Sequence, residues 1–171
     1  YNKDLIIPPS ANDEFAIKNN YIEDAVYTPS SKTRKGIVTG KTGVNILEAN
    51  AISDAVVEFM KNSIKKAKNK SCLVVTMNTS QKELIEEEIR FKSSKIPEVE
   101  EYLNFWLHSM EPFAVKNLES VQGDERDYIF VSTLFGPNKD GVTMKRFGPI
   151  AKPKGHRRLN VLFTRAKEGL E

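Results

Sequence analysis

The chain has 171 residues, a formal net charge of +3 and 39% hydrophobic residues, which suits a single folded domain. The lone Cys72 excludes a disulfide scaffold, and the lack of any apolar run near ~18 residues excludes a membrane-spanning helix. The opening Tyr1-Asn2-Lys3-Asp4 lacks the pattern of a secretory signal, so the expected location is the cytoplasm, with no membrane partner. With no initiator Met and an end at Gly169-Leu170-Glu171, the chain is expected to be a piece of a longer protein, one domain over residues 1–171.

Residues 1–41 read as irregular, punctuated by Pro8-Pro9-Ser10 and Pro29-Ser30-Ser31, with a short strand predicted at Tyr21 to Tyr27. Asn45 is a good N-cap, and Glu48 three residues later completes a capping-box pattern. Ile46, Ala49, Ile52, Val56, Phe59 and Met60 then recur at helical spacing. Cys72-Leu73-Val74-Val75-Thr76 reads as a buried parallel strand. Ser80 with Glu83 is expected to cap a second helix that turns Leu84, Ile85 and Ile89 inward and Glu86 to Glu88 to water. Pro97 starts a third helix, whose apolar side is expected to hold Val99, Tyr102, Leu103, Phe105, Trp106 and Leu107.

Phe113 to Val115 and Tyr128 to Val131 read as two more buried strands, and residues 136–154 as a long loop or a hairpin. The last element is a short helix from His156 to Ala166 with Leu159, Leu162 and Phe163 inward. Strands alternating with helices predict an α/β fold, a mainly parallel sheet flanked by helices in three layers.

Several chemistries are weakly supported. Gly40-Lys41-Thr42 is not a phosphate loop, because only three residues separate Gly36 from Gly40 and no strand leads into it. Cys72, His108 and His156 are too scattered for a zinc site. Charge is more informative. Between Lys139 and Glu171 there are nine basic residues against three acidic ones, which suits a phosphate-bearing partner; on charge alone a solvated basic face accounts for it equally well.

Two segments concentrate polar groups. Gln122-Gly123-Asp124-Glu125-Arg126-Asp127 lies before a buried strand, where its polar groups must find partners. The expected place is the carboxyl edge of a parallel sheet, where ligands bind, with Gly123 allowing close approach of backbone to phosphate. In the segment 155–166, Arg158 and Arg165 stand seven apart, two turns along one helical face. Arginine suits phosphate because its planar fork donates twice and stays charged.

Together these segments resemble the second RecA-like domain of superfamily 1 helicases. Gln122 to Asp127 is similar to the family's motif V, and Arg157-Arg158-Leu159-Asn160-Val161-Leu162-Phe163-Thr164-Arg165-Ala166 to its motif VI. Leu73 to Gln81 is similar to the family's strand, polar turn and Gln, with Met77-Asn78 where some relatives carry Pro and an aromatic; Asn45 and Glu48-Ala49 match the preceding helix. The nearest resemblance is to a bacterial branch of DNA helicases with a long insert between motifs V and VI, here Phe135 to Lys154.

The resemblance implies a RecA-like fold without its own phosphate loop, serving an ATP-driven motor on nucleic acid. ATP would lie between this domain and a first RecA-like domain, which would also hold Mg2+. Arg165 would be the arginine finger, Glu125 would accept from the ribose hydroxyl, and the Gly123 N–H would face the phosphates. Gln122 would link nucleotide to nucleic acid, and Arg158 would be a second phosphate or structural contact. Thr76, Asn78, Asn117, Ser120 and Ser132 would touch a single-stranded DNA backbone, with RNA as the other candidate. The strand that follows motif VI is expected to be cut off at Glu171. The competing readings are an inactive helicase-like binding module and a structural α/β domain with a basic end.

Overall fold

Short apolar strands need cover on both faces, and the arrangement of helices follows from that need. The computed structural model describes residues 27–28, 43–66, 69–134, 150, 153 and 155–170. Strand β1 (Tyr27–Thr28) pairs antiparallel with β2 (Val44–Asn45). Helix α1 (Ile46–Lys65) is followed by β3 (Cys72–Thr76), α2 (Thr79–Ser93), α3 (Pro97–Leu107) and β4 (Ala114–Asn117). A short 3-10 turn (Leu118–Ser120), β5 (Arg126–Ser132), α4 (Gly155–Phe163) and β6 (Ala166–Leu170) complete the order.

The main sheet runs β4-β3-β5-β6, and all three pairings are parallel. All five β3 residues are buried, and alternate side chains serve opposite faces. Cys72 and Val74 join the apolar cluster formed with α1, α2 and α3. Leu73 and Val75 join a second cluster with Leu118, Ile129 and Leu162, on the side of the 3-10 turn and α4. The expected three-layer α/β fold is therefore present. Among the described residues no helix is long and apolar enough to cross a membrane.

Several boundaries differ from expectation. The second helix is capped by Asn78, not Ser80: Asn78 is extended and its side chain accepts from Gln81 N–H, whereas Ser80 is already helical. In α3, Val99, Tyr102, Leu103 and Trp106 form the stripe against the core. Phe105 and Leu107 fall off that stripe and are 54% and 60% exposed, because one helical face spans only the i, i+3, i+4, i+7 positions. Phe163 is likewise exposed. The final helix ends at Phe163 rather than Ala166, and the strand expected to be cut off forms as β6, pairing Arg126 with Ala166 and Ile129 with Leu170. Of the strand expected at Tyr21 to Tyr27 only Tyr27 is among the described residues, where it opens β1; the Gly40-Lys41-Thr42 segment and most of 136–154 lie outside them.

The capping box is only half made. Asn45 Oδ1 accepts from Glu48 N–H at 3.1 Å, but the Glu48 carboxylate does not reach back. It turns inward, and its Oε1 accepts from Ser132 Oγ at 2.9 Å and from Leu134 N–H at 3.0 Å. Gln81, fully buried, takes over the other half of the box: its Oε1 accepts from Asn45 N–H at 2.9 Å, while its amide donates to Asn45 C=O and Ser132 Oγ.

Burial raises the Glu48 pKa above its ordinary 4.5, with the hydrogen bonds from Leu134 and Ser132 opposing the rise. The folded state therefore keeps the proton at pH values where the unfolded chain releases it. Stability falls as pH climbs from 4.5 through the raised value. Urea midpoints measured across that window are expected to decline with pH, and Glu48→Gln to flatten the decline. An unchanged slope in the variant would assign the effect to another group.

Candidate functional site

A parallel strand starts at the same edge of the sheet as its neighbour, so the residues just before β5 and β6 come to one edge. After β4 ends at Asn117 the chain passes through the 3-10 turn and returns to start β5 at Arg126. Gln122 to Glu125 therefore approach the amino edge of the sheet, not the carboxyl edge expected from the sequence. Arg165 precedes β6 at that same edge. Arg126 N–H donates to Arg165 C=O at 3.1 Å. Arg165 Nη1 lies 3.8 Å from Glu125 Oε1, with the Arg165 side chain 23% exposed and the Glu125 side chain 59% exposed.

The polar groups of the motif-V-like segment divide into two kinds. Asp124, Arg126 and Asp127 are used by the protein itself. Lys116 Nζ donates to both Asp124 oxygens, at 2.8 and 2.7 Å. Arg126 is buried and donates to Glu125 C=O at 2.6 Å and to Pro112 C=O at 2.8 Å. Asp127 Oδ2 accepts from Ser71 N–H at 2.8 Å, and Asp127 N–H donates to Ser71 Oγ at 3.0 Å. Gln122, Gly123 and Glu125 face solvent instead. Gly123 has φ +90°, and no atom lies within 4 Å of where a Cβ would stand. The turn needs glycine for its conformation, and the space in front of it is open.

Beside this turn an open cleft of ≈ 300 Å³ is lined by Leu118, Glu119, Gln122, Arg157, Arg158 and Val161. Arg158 Nε lies 3.7 Å from Glu119 Oε1. Val161 joins the cleft to the ion pair, because its carbonyl accepts from Arg165 Nε at 3.1 Å. The structure thus brings Glu125 to Arg165, and Gln122 to Arg158, on adjoining surfaces.

The candidate nucleic-acid contacts do not gather there. Asn117, Thr76 and Ser132 end β4, β3 and β5, at the opposite, carboxyl edge. Thr76 and Ser132 are fully buried. The Thr76 hydroxyl donates to Asn78 C=O at 2.8 Å and that of Ser132 to Glu48, so neither presents its hydroxyl to a strand on the surface. Polar side chains at the ends of buried strands satisfy neighbouring backbone and side chains. Asn78 is half-buried, caps α2 and donates from Nδ2 to Gly43 C=O at 2.7 Å. Asn117 Oδ1 accepts from the exposed Ser120 hydroxyl at 2.6 Å; these two remain at the surface side of the edge.

Cys72 plays no part as a nucleophile: burial pushes its thiol up to about 12, and a protonated thiol attacks poorly. Lys116 and Thr164 carry no signal in the sequence, because their partners are set by strand return and helix ending.

The chain matches the AAA domain family over residues 11–171. It is also similar to MG140, an uncharacterized ATP-dependent helicase of Mycoplasma genitalium, at 37% identity over 108 residues. The homolog of that protein in Mycoplasma pneumoniae matches at 37% over 108 residues. Each match covers 60% of this chain and 9% of the relative, so the chain spans less than a tenth of the length of either.

Since φ at Gly123 is +90° and a Cβ there meets nothing, Gly123→Ala is expected to lower stability by about 1–2 kcal/mol through backbone conformation alone. Gly123→Asn is expected to cost less, because Asn tolerates positive φ better. Equilibrium urea unfolding checks both, and equal losses for the two variants would contradict a purely conformational cause.

Proposed function

The chain belongs to the AAA domain family, and from that premise we propose that it is the second RecA-like motor domain of a superfamily 1 DNA helicase. In this reading it supplies one wall of an ATP site whose other wall, with the Mg2+ ligands, comes from a first RecA-like domain. The observation that carries the reading is the approach of Arg165 Nη1 to Glu125 Oε1, 3.8 Å, at a partly open edge of the sheet. Names given to two relatives as ATP-dependent helicases also support it.

The residues fit a nucleotide. Arg165 is a fixed cation that donates from a planar fork, suited to the oxygens of a terminal phosphate. It serves as the arginine finger, meeting negative charge that grows in the transition state. Glu125 is an exposed carboxylate and accepts from the ribose hydroxyl. The open space before Gly123 leaves room for a phosphate near its N–H. Gln122 and Arg158, on the neighbouring cleft, extend the polar surface from nucleotide toward nucleic acid. Asn117 and Ser120 hold the backbone of single-stranded DNA, with RNA as the alternative strand, through contacts that carry no sequence preference. Closure of the two domains on ATP and reopening after hydrolysis shift the grip along the strand.

In the complete protein, Arg165→Ala is expected to lower DNA-stimulated ATP hydrolysis by about 100-fold or more while nucleotide binding largely survives. An unchanged rate would overturn the motor reading in favour of a helicase-like binding module. The 171-residue chain by itself is expected to show no magnesium-dependent turnover above background. Affinity of the complete protein for single-stranded DNA is expected to fall steeply with salt, as phosphate contacts require; salt-insensitive binding would point to a structural domain instead.

A further inference from the structure

Helix α4 ends at Phe163, and the last carbonyls of a helix lack partners within it. One of them, Val161 C=O, receives two donors from the residues just beyond: the Thr164 hydroxyl at 3.0 Å and Arg165 Nε at 3.1 Å. The Thr164 oxygen in turn accepts from Arg165 Nη2 at 3.1 Å. The hydroxyl thus uses its one proton toward the helix and a lone pair toward the guanidinium. Backbone bonds from Thr164 N–H to Asn160 C=O and from Arg165 N–H to Leu162 C=O fix the same turn.

The guanidinium is therefore gripped along one edge, by Nε and Nη2, at the negative end of a helix dipole that favours a cation. Its Nη1 faces Glu125. Thr164 is β-branched, which restricts its χ1, and the bond from its exposed hydroxyl to Val161 C=O selects the rotamer that turns the oxygen toward the guanidinium. An arginine held this way before a nucleotide arrives has fewer rotamers to lose on binding, and orientation of this kind is worth much in rate.

We propose that Thr164 is a positioning residue for Arg165: its hydroxyl and the Val161 carbonyl hold the guanidinium so that the Nη1 side is presented to the shared nucleotide site. The proposal rests on the reading of Arg165 as the arginine finger.

The test uses the complete protein. Thr164→Val keeps the shape and removes the hydroxyl, while Thr164→Ser keeps the hydroxyl. Thr164→Val is expected to lower the kcat of DNA-stimulated ATP hydrolysis about tenfold with KM for ATP within about twofold, and Thr164→Ser to restore most of the rate. Added to Arg165→Ala, Thr164→Val is expected to change nothing further in single-turnover hydrolysis. Thermal unfolding of each variant separates misfolding from misplacement, and the serine variant retains the test if valine destabilises the fold. A kcat unchanged or raised by Thr164→Val, no recovery with serine, or an equal loss in the Arg165→Ala background would each overturn the proposal. If Arg165→Ala alone leaves the rate unchanged, the finger reading falls with it; if only the Thr164 variants are silent, the finger reading stands and this inference does not.

Discussion

The hydrogen bond from Arg126 N–H to Arg165 C=O joins the starts of β5 and β6, and the candidate site depends on it. Glu125 stands immediately before Arg126, the first residue of β5, and Arg165 immediately before Ala166, the first residue of β6, forty residues apart in the chain. Parallel pairing brings both to one edge of the sheet. The ion pair between them, 3.8 Å long and more than half exposed on the carboxylate side, contributes only about 0–1 kcal/mol by itself. It is a consequence of the sheet and not its cause. A carboxylate and a guanidinium held close by the backbone, with weak mutual attraction, can separate to receive a ligand without loss of the fold.

The surrounding polar groups reinforce this division. Lys116 binds Asp124, Arg126 binds two carbonyls, and Asp127 binds Ser71. Each of these contacts fixes the turn from beneath. What remains at the surface is Gln122, Gly123 and Glu125. Removing one buried partner here would strand another, which costs more than the pair itself contributes. The exposed residues carry no such penalty and are free to serve a ligand. At the end of α4 the same economy recurs, because carbonyls that the helix leaves unpaired are satisfied by Thr164 and Arg165.

At the opposite edge of the sheet the polar ends of β3 and β5, Thr76 and Ser132, are buried. Gln81, Asn45, Glu48 and Ser132 form one buried hydrogen-bonded set that ties α1, α2 and β5 together. The same set anchors Leu134, whose φ of +67° is unusual for a side chain of that kind and costs about 1–2 kcal/mol. Glu48 accepts from its N–H, and Asn45 Nδ2 donates to its carbonyl at 3.4 Å. Thr76 and Ser132 therefore belong to the interior, while Asn117 and the exposed Ser120 stay on the surface side of this edge.

Local pattern alone determined the α/β class, the burial of Cys72 to Thr76, the cap at Asn45 and the proline start of α3, because each depends on residues within a few positions of one another. It also marked Glu125 and Arg165 as a pair of interest, through resemblance of their two segments to known motifs. Which edge of the sheet holds them was decided only in three dimensions, since it follows from where β5 and β6 begin and not from the polarity of the segment. The same holds for Glu48: its spacing from Asn45 fits a capping box, but Gln81, thirty-six residues from Asn45, fills that role and releases the carboxylate into the interior. Spacing along the chain encodes helices, strands and their ends; the partner of a buried polar group is chosen by packing, which brings together residues that the sequence keeps far apart.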